Sequence, residues 1–240
     1  MSRISQHRWW FAAAACLATV GPGVPAHGGG TIFETSARMG VWSSDQAIGD
    51  PSTAISAQGW GRVHGEVDDN VKFAGEARVE ARITPGDELS LKAEVREGYL
   101  QLSADHVVMR IGRQILDWGR ADRIHPTDAA GSRDYTALVP TDEEQKRGQG
   151  TVRLDWDLGF ATAEAYWIPE FREDKFGVGA VEGLHARSQG WADQFAVRLE
   201  KAGGDVDWSV TYFSGLSHTP QVVPTAAPGV FERVYVSEYR

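Results

Sequence analysis

Between Val71 and Arg96 the chain alternates apolar and charged residues with a period of two. Val71, Phe73, Gly75, Ala77, Val79, Ala81 and Ile83 fall on one face, and Lys72, Ala74, Glu76, Arg78, Glu80 and Arg82 on the other, which is the periodicity of a strand. After Thr84-Pro85-Gly86-Asp87-Glu88, a turn composition, Leu89, Leu91, Ala93 and Val95 oppose Ser90, Lys92, Glu94 and Arg96. The two runs predict a hairpin. Setting Ile83 against Leu89 pairs Glu80 with Lys92, Arg78 with Glu94 and Glu76 with Arg96; on the other face it sets Ala81 against Leu91, Val79 against Ala93 and Ala77 against Val95. A slip of one residue would lose both sets.

Three more hairpins follow. A turn at Asp105-His106 places Leu100 opposite Ile111, Leu102 opposite Met109, Tyr99 opposite Gly112, Gln101 opposite Arg110 and Glu97 opposite Gln114. The apolar phase moves from odd positions (Val95) to even ones (Leu100), which predicts a β-bulge within 96–98, beside Gly98. A turn at Leu158-Gly159 sets Trp156, Leu154 and Val152 against Ala161, Ala163 and Ala165, and Arg153 against Glu164. A turn at Gly203-Gly204 sets Leu199, Val197 and Phe195 against Trp208, Val210 and Tyr212, at the cost of a like-charged pair, Glu200 with Asp207.

Connections alternate in length: short at 105–106, 158–159 and 203–204, long at 117–149, 169–192 and 216–229. Runs such as 71–83 exceed the usual strand of about 5–6 residues and reach the roughly 9–11 needed to cross a bilayer obliquely. With weaker strands near 31–43, 55–66 and 230–240 the expected fold is all-β, an antiparallel up-and-down transmembrane barrel of about ten strands. Trp118, Trp156, Trp167, Trp208 and Tyr212 stand near strand ends, where interfacial girdles lie. The ladder of Glu76, Arg78, Glu80, Arg82, Lys92, Glu94 and Arg96 suits a wet lumen. A secreted carbohydrate-binding β-sandwich shares the alternation, and differs in that its apolar faces meet in a dry interior.

Residues 1–26 open with Arg3 and Arg8, continue with the apolar run Trp9 to Val20 and close on Val24-Pro25-Ala26, the pattern of a secretory signal peptide. Residues 27–240 would then be the barrel domain. Cys16, the only cysteine, lies inside that signal, so the mature chain would carry no thiol; Ala13 stands where a lipoprotein signal needs a branched apolar residue. Loss of Arg3 and Arg8 takes the 24 basic residues to 22 against 33 acidic ones, a net charge of −11, which argues against nucleic acid as a partner. Mean hydropathy is −0.34, low for a helical membrane protein but suited to a barrel, where only alternate residues face lipid.

The densest stretch of chemistry runs Arg110-Ile111-Gly112-Arg113-Gln114, then Asp117-Trp118-Gly119-Arg120-Ala121-Asp122, and on to Ser132-Arg133-Asp134-Tyr135. Over roughly 95–140 it resembles a proteobacterial family of porin-like outer-membrane proteins, akin to alginate-export barrels, in which Arg-x-Gly-Arg-Gln leads into Trp-Gly-x-x-Asp. The resemblance implies a channel in the outer membrane of a Gram-negative bacterium, with outer-membrane lipid around it and small polar solutes or an exported polysaccharide inside. It places Arg110, Arg113, Gln114, Trp118 and Asp122 where a strand passes into a loop, able either to pair, draw the loop inward and set the field in the pore or simply to hold the loop in place. Arg113 points to the opposite face from Arg110, which places it near the interface or where the strand ends. The pore-lining or constriction residues expected are thus Arg78, Glu80, Lys92, Glu94, Arg96, Glu97, Tyr99, Arg110, Gln114, Trp118, Asp122, Arg133 and Asp134.

Family members are longer, and the ending Glu238-Tyr239-Arg240 lacks the terminal aromatic of a closing strand, so the chain is also read as the N-terminal part of a larger barrel. The oligomeric state stays open. No catalytic residues, cofactor or metal are expected: His64, His106, His125, His185 and His218 lack ligand spacing, no Gly-x-Ser-x-Gly occurs, and Glu143-Glu144 stand in a polar run, Thr141 to Gly148, expected to be solvated.

Overall fold

Strict alternation over so many residues leaves the backbone one economical solution, a long antiparallel meander. The computed structural model of the chain describes residues 15–20, 25–26, 29–43, 53–84, 88–118, 130–176, 184–186, 191–203, 206–224, 231–235 and 237–239. Its strands are β1 (Ala15–Val20), β2 (Pro25–Ala26), β3 (Gly29–Ser43), β4 (Thr53–Asp68), β5 (Val71–Ile83), β6 (Ser90–Ala104), β7 (Val107–Gln114), β8 (Ser132–Arg133), β9 (Lys146–Arg147), β10 (Gln149–Asp157), β11 (Thr162–Glu170), β12 (Leu184–Ala186), β13 (Trp191–Lys201), β14 (Trp208–Leu216), β15 (Gln221–Pro224), β16 (Phe231–Val234) and β17 (Ser237–Tyr239).

Nine of these, β3 to β7, β10, β11, β13 and β14, form one antiparallel sheet in that order. β1 and β2 lie against β3, and β17 lies against β14. Among the described residues no ladder joins the two edges of the sheet. β8 and β9 pair with each other, and β12, β16 and β15 make a small separate sheet. The strand expected over 230–240 is therefore divided: β16 leaves for the small sheet and only β17 returns to β14. Ala15–Val20, inside the expected signal, runs along β3.

The connections at one end of the meander are 69–70, 105–106, 158–161 and 202–207, all short; those at the other are 44–52, 84–89, 115–148 and 171–190, and the chain leaves β14 at that same end. Length thus sorts by end.

The β5–β6 register matches the expected one from Arg82 with Ser90 to Ala77 with Val95, and β6–β7 matches from Gly98 with Arg113 to Leu102 with Met109. The bulge falls where the phase change puts it. Arg96 is the extra residue, so Glu97, not Arg96, sits directly opposite Glu76; Arg96 nevertheless bonds the Glu76 carboxylate. The expected Glu97–Gln114 pair does not form, because the ladder opens at Gly98, and Glu97 Oε1 instead accepts the Ile115 amide at 3.1 Å.

The other two hairpins are displaced by two residues. Leu154 meets Ala165 and Arg153 meets Tyr166; Leu199 meets Val210 and Val197 meets Tyr212. The turns are longer than expected because an aspartate closes each one: Asp157 accepts the Gly159 amide at 2.8 Å and Asp207 accepts the Gly203 amide at 2.7 Å, with both glycines at positive φ, 80° and 84°. The shift also removes the repulsion between Glu200 and Asp207, since Glu200 now faces Ser209.

The two faces of the sheet divide in an unusual sense. Val79, Leu91, Ile111 and Leu154 are 55%, 73%, 45% and 39% exposed, whereas Arg38, Gln58, Glu76, Arg78, Glu80, Arg96 and Gln114 are buried. No second layer covers the apolar face among the described residues; the long connections cover the polar one.

Gly112, within the Arg-x-Gly-Arg-Gln stretch, has φ 134° and an added Cβ would strike the Gly98 carbonyl across the ladder. Gly112→Ala is expected to destabilise the fold by about 2 kcal/mol or more, measured as a lowered midpoint in urea titration against the parent chain.

Candidate functional site

β3 to β6 build a charged wall. Alternation puts Glu76, Arg78 and Glu80 of β5 on one face, with Glu94 of β6 directly opposite Arg78. At the bulge two consecutive side chains, Arg96 and Glu97, turn to this face, which a regular strand does not allow.

A strap, residues 130–148, lies across the wall. Its backbone carbonyls are received by wall donors. Arg82 Nη2 donates to the Thr136 carbonyl at 2.7 Å, Gln58 Nε2 to Leu138 at 2.8 Å, and Arg78 Nη1 to Glu144 at 2.8 Å. Arg96 Nη2 reaches two, Glu143 at 2.9 Å and Lys146 at 3.2 Å. Arg38 Nη2 adds the Glu144 carboxylate at 2.6 Å and Gln58 Oε1 at 2.6 Å. Wall carboxylates aim these guanidinium groups: Glu80 holds Arg82 at 2.7 Å, Glu94 holds Arg78 at 3.4 Å, and Glu76 holds Arg96 and, at 2.6 Å, Arg62.

The strap's own cations return the contact. Arg147 Nε bonds Glu94 at 3.1 Å, and Lys146, only 2% exposed, is clasped by Asp117 at 2.5 Å and Glu143 at 2.8 Å. The run Thr141 to Gly148, expected to be solvated, is therefore docked; Glu144 faces the wall, while Glu143 stays largely in solvent. Gly148 passes so close to the Arg96 carbonyl that no side chain fits there.

A second segment, residues 171–176, locks onto the strap. Arg172 bonds Glu94 at 3.0 Å and the Gly148 carbonyl at 2.5 Å. Asp174 accepts the Arg133 amide at 2.8 Å, its own amide donates to the His218 carbonyl at 3.0 Å, and His218 Nδ1 donates to the Arg172 carbonyl at 2.5 Å. All three long connections thus meet. Burial would raise the Asp134 carboxyl, but the Thr136 hydroxyl, the Lys175 ammonium and the Thr136 amide outweigh it and hold it below the usual carboxylate range. Arg172 is pushed down by burial and by the neighbouring Arg147.

Toward the short turns the same face carries a cross-strand ladder instead of a strap. Gln101 accepts from Arg110 at 2.8 Å, Arg110 lies 3.9 Å from Asp155, Asp155 holds Arg153 at 2.6 Å, and Arg153 reaches Glu164 at 3.1 Å. Tyr99 lies beneath Arg110, at 5.9 Å from ring centre to guanidinium.

Of the expected pore residues, Arg78, Glu80, Glu94, Arg96, Arg133 and Asp134 are brought to the strap, Tyr99 and Arg110 to the ladder, and Glu97 and Gln114 to the start of the 115–148 connection. Lys92 is exposed and outside the buried set. Asp122 lies outside the described residues. Trp118 is not at an interface: it is buried against Tyr166 at 5.2 Å and Phe213 at 6.2 Å, with Leu116, Ile168 and Ala196. Trp156, Trp167, Trp208 and Tyr212 are exposed; Trp156 and Trp208 stand at strand ends, whereas Trp167 lies inside β11 and Tyr212 at the middle of β14. Arg113 does leave the Arg110 face, pairing with Glu170 at 2.8 Å. Arg38, Gln58, Asp117, Lys146, Arg147 and Arg172 were not anticipated; the Lys146-Arg147 doublet beside three acidic residues is the signal that could have pointed to a docked segment.

No known protein family, curated protein or solved structure matches the chain. What the arrangement can do follows from its charges alone: guanidinium and carboxylate groups alternate along one sheet face, partly closed by a strap.

Arg96→Ala leaves Glu76 with Arg62 as its remaining cation and strands the Glu143 and Lys146 carbonyls, a loss of about 1–3 kcal/mol for each unsatisfied acceptor. Trypsin, which meets Lys146 and Arg147 buried in the parent, is expected to cut there at least about tenfold faster in the variant. The lowered Asp134 value means that its contribution is full above the ordinary aspartate value, about 3.9, and is lost as pH falls through the folded one. Melting temperature should therefore fall less steeply from pH 5 to pH 3 in Asp134→Asn than in the parent.

Proposed function

We propose that the chain is a porin-like outer-membrane channel: exported from a Gram-negative cell through its N-terminal signal, embedded in outer-membrane lipid with its meander closed as a barrel, and passing small polar solutes or a glycan along its ionic face. The observation that carries this reading is the inverted partition of the sheet. Burying a valine or leucine side chain is worth about 1.5–3 kcal/mol, and water-soluble monomers rarely leave a contiguous apolar patch beyond a few hundred Å² uncovered. Here the outward residues of strand after strand are apolar and exposed, while ion pairs fill the other side. A hydrocarbon surround removes that penalty and makes the pattern economical.

Three further features support it. The nine meander strands are 8–16 residues long, the long connections share one end, and irregular backbone at depth is screened by protein donors as a membrane interior requires. Cleavage after Ala26 would take β1 and β2 away and leave β3 as the edge free to close the sheet. The resemblance of the 110–122 stretch to porin-like barrels agrees in kind.

Refolded mature protein is expected to give stepwise currents in a planar bilayer, with Arg110→Ala shifting the reversal potential toward cations. Recovery as a detergent-free monomer with no current would overturn the proposal. Val79→Arg separates the surroundings directly: it should cost about 2–4 kcal/mol in lipid, whereas an exposed valine on a water-washed sheet tolerates the change within about 0.5 kcal/mol.

A further inference from the structure

The Ser132-Arg133-Asp134-Tyr135 stretch lies in the strap. Ser132 bonds the Glu173 carbonyl at 3.1 Å, the Arg133 amide bonds Asp174, and Asp134 is held by Thr136 and Lys175. The Tyr135 ring stacks on Phe176, 5.1 Å between centroids and 12° from parallel, and the two remain 48% and 37% exposed.

This pair is unlike the other exposed aromatics. Trp156, Trp167, Phe195 and Tyr212 sit on the strands of the apolar face, and Phe160 in the short 158–161 connection at the opposite end. Tyr135 and Phe176 belong to two different connections on the covered, ionic side. Their placement is built: the Tyr135 amide donates to the Lys175 carbonyl at 2.8 Å, the Lys175 amide to the Arg133 carbonyl at 2.9 Å, and the Lys175 ammonium lies 3.4 Å from Asp134. Two flat rings are thus fixed on backbone segments that also carry a half-exposed ammonium, that of Lys175. Aromatic faces attract the C–H faces of pyranose rings, and adjacent charged donors suit their hydroxyls. A lipid contact would place the rings on the outward face, and the chain's net charge of −9 disfavours a nucleic acid.

We propose that Tyr135 and Phe176 form a saccharide-binding platform at the long-loop end of the ionic face, for neutral oligosaccharides with an apolar pyranose face. For the direction of traffic the proposal rests on the channel reading; for binding it does not. The test is calorimetric titration of the full mature chain in a sugar-free detergent, dodecyldimethylamine oxide, with cellohexaose, maltohexaose and mannohexaose. At least one should bind, with affinity reduced at least about tenfold by Tyr135→Ala and by Phe176→Ala and kept within about twofold by Tyr135→Phe, which preserves the stack. Trypsin resistance at Lys146-Arg147 shows that each variant keeps its strap. No binding by any of the three, or binding unchanged in strap-intact Tyr135→Ala and Phe176→Ala, overturns the platform. Absent current with hexasaccharide binding intact would sink the channel alone; current without binding would sink the platform alone.

Discussion

A loop laid across a sheet brings its backbone carbonyls with it, and out of reach of bulk water each must find a donor or cost a desolvation penalty of about 1–3 kcal/mol. Here the donors are arginines and one glutamine, Gln58. Arg78, Arg82 and Arg96 each divide a guanidinium between a wall carboxylate and a strap carbonyl. A planar five-donor fork can serve both at once, which a lysine ammonium does with far less geometric definition. The carboxylates stop the guanidinium groups from being bare charges; the carbonyls stop them from being idle. Strap, wall and ion pairs are consequently one polar network held by mutual contact, with the Nε atoms of Arg38 and Arg96 buried and not hydrogen-bonded.

The bulge at Arg96 is what makes the network close. Without the extra residue, Arg96 and Glu97 would point to opposite sides of the sheet. With it, Arg96 reaches Glu76 and the strap while Glu97 receives the Ile115 amide, where the chain leaves β7 for the 115–148 connection. The same residue's carbonyl is approached by Gly148 as the strap returns to β10. Departure and return of the connection are both tied to one irregularity.

Much of this was legible in the residues, and the misses share a cause. The 71–104 registers could be read pair by pair because one face carried complementary charges and the other apolar partners, so a slip would be penalised twice. The hairpins after Asp157 and Lys201 were read two residues out, since a shift of two preserves every side chain's face and only turn geometry separates the choices; the repulsive Glu200–Asp207 pair was the visible warning. Wall residues such as Arg78, Glu94 and Arg96 announced themselves by charge on an alternating strand. Their strap partners did not, because a backbone carbonyl has no signature in sequence and the polar run 141–148 looks the same solvated or docked. Trp118 was misplaced because an aromatic near a strand end suits an interface and a core equally; Tyr166 and Phe213, far along the chain, decide the matter.

That distance in sequence has a bearing on assembly. Each long strand pairs with the preceding one, so the meander can grow hairpin by hairpin with mostly local closures. Trp118 cannot settle in that order: its neighbours Tyr166, Ile168, Ala196 and Phe213 lie on β11, β13 and β14, which are added later. The foot of the 115–148 connection therefore cannot seat fully before β11, β13 and β14 are in place.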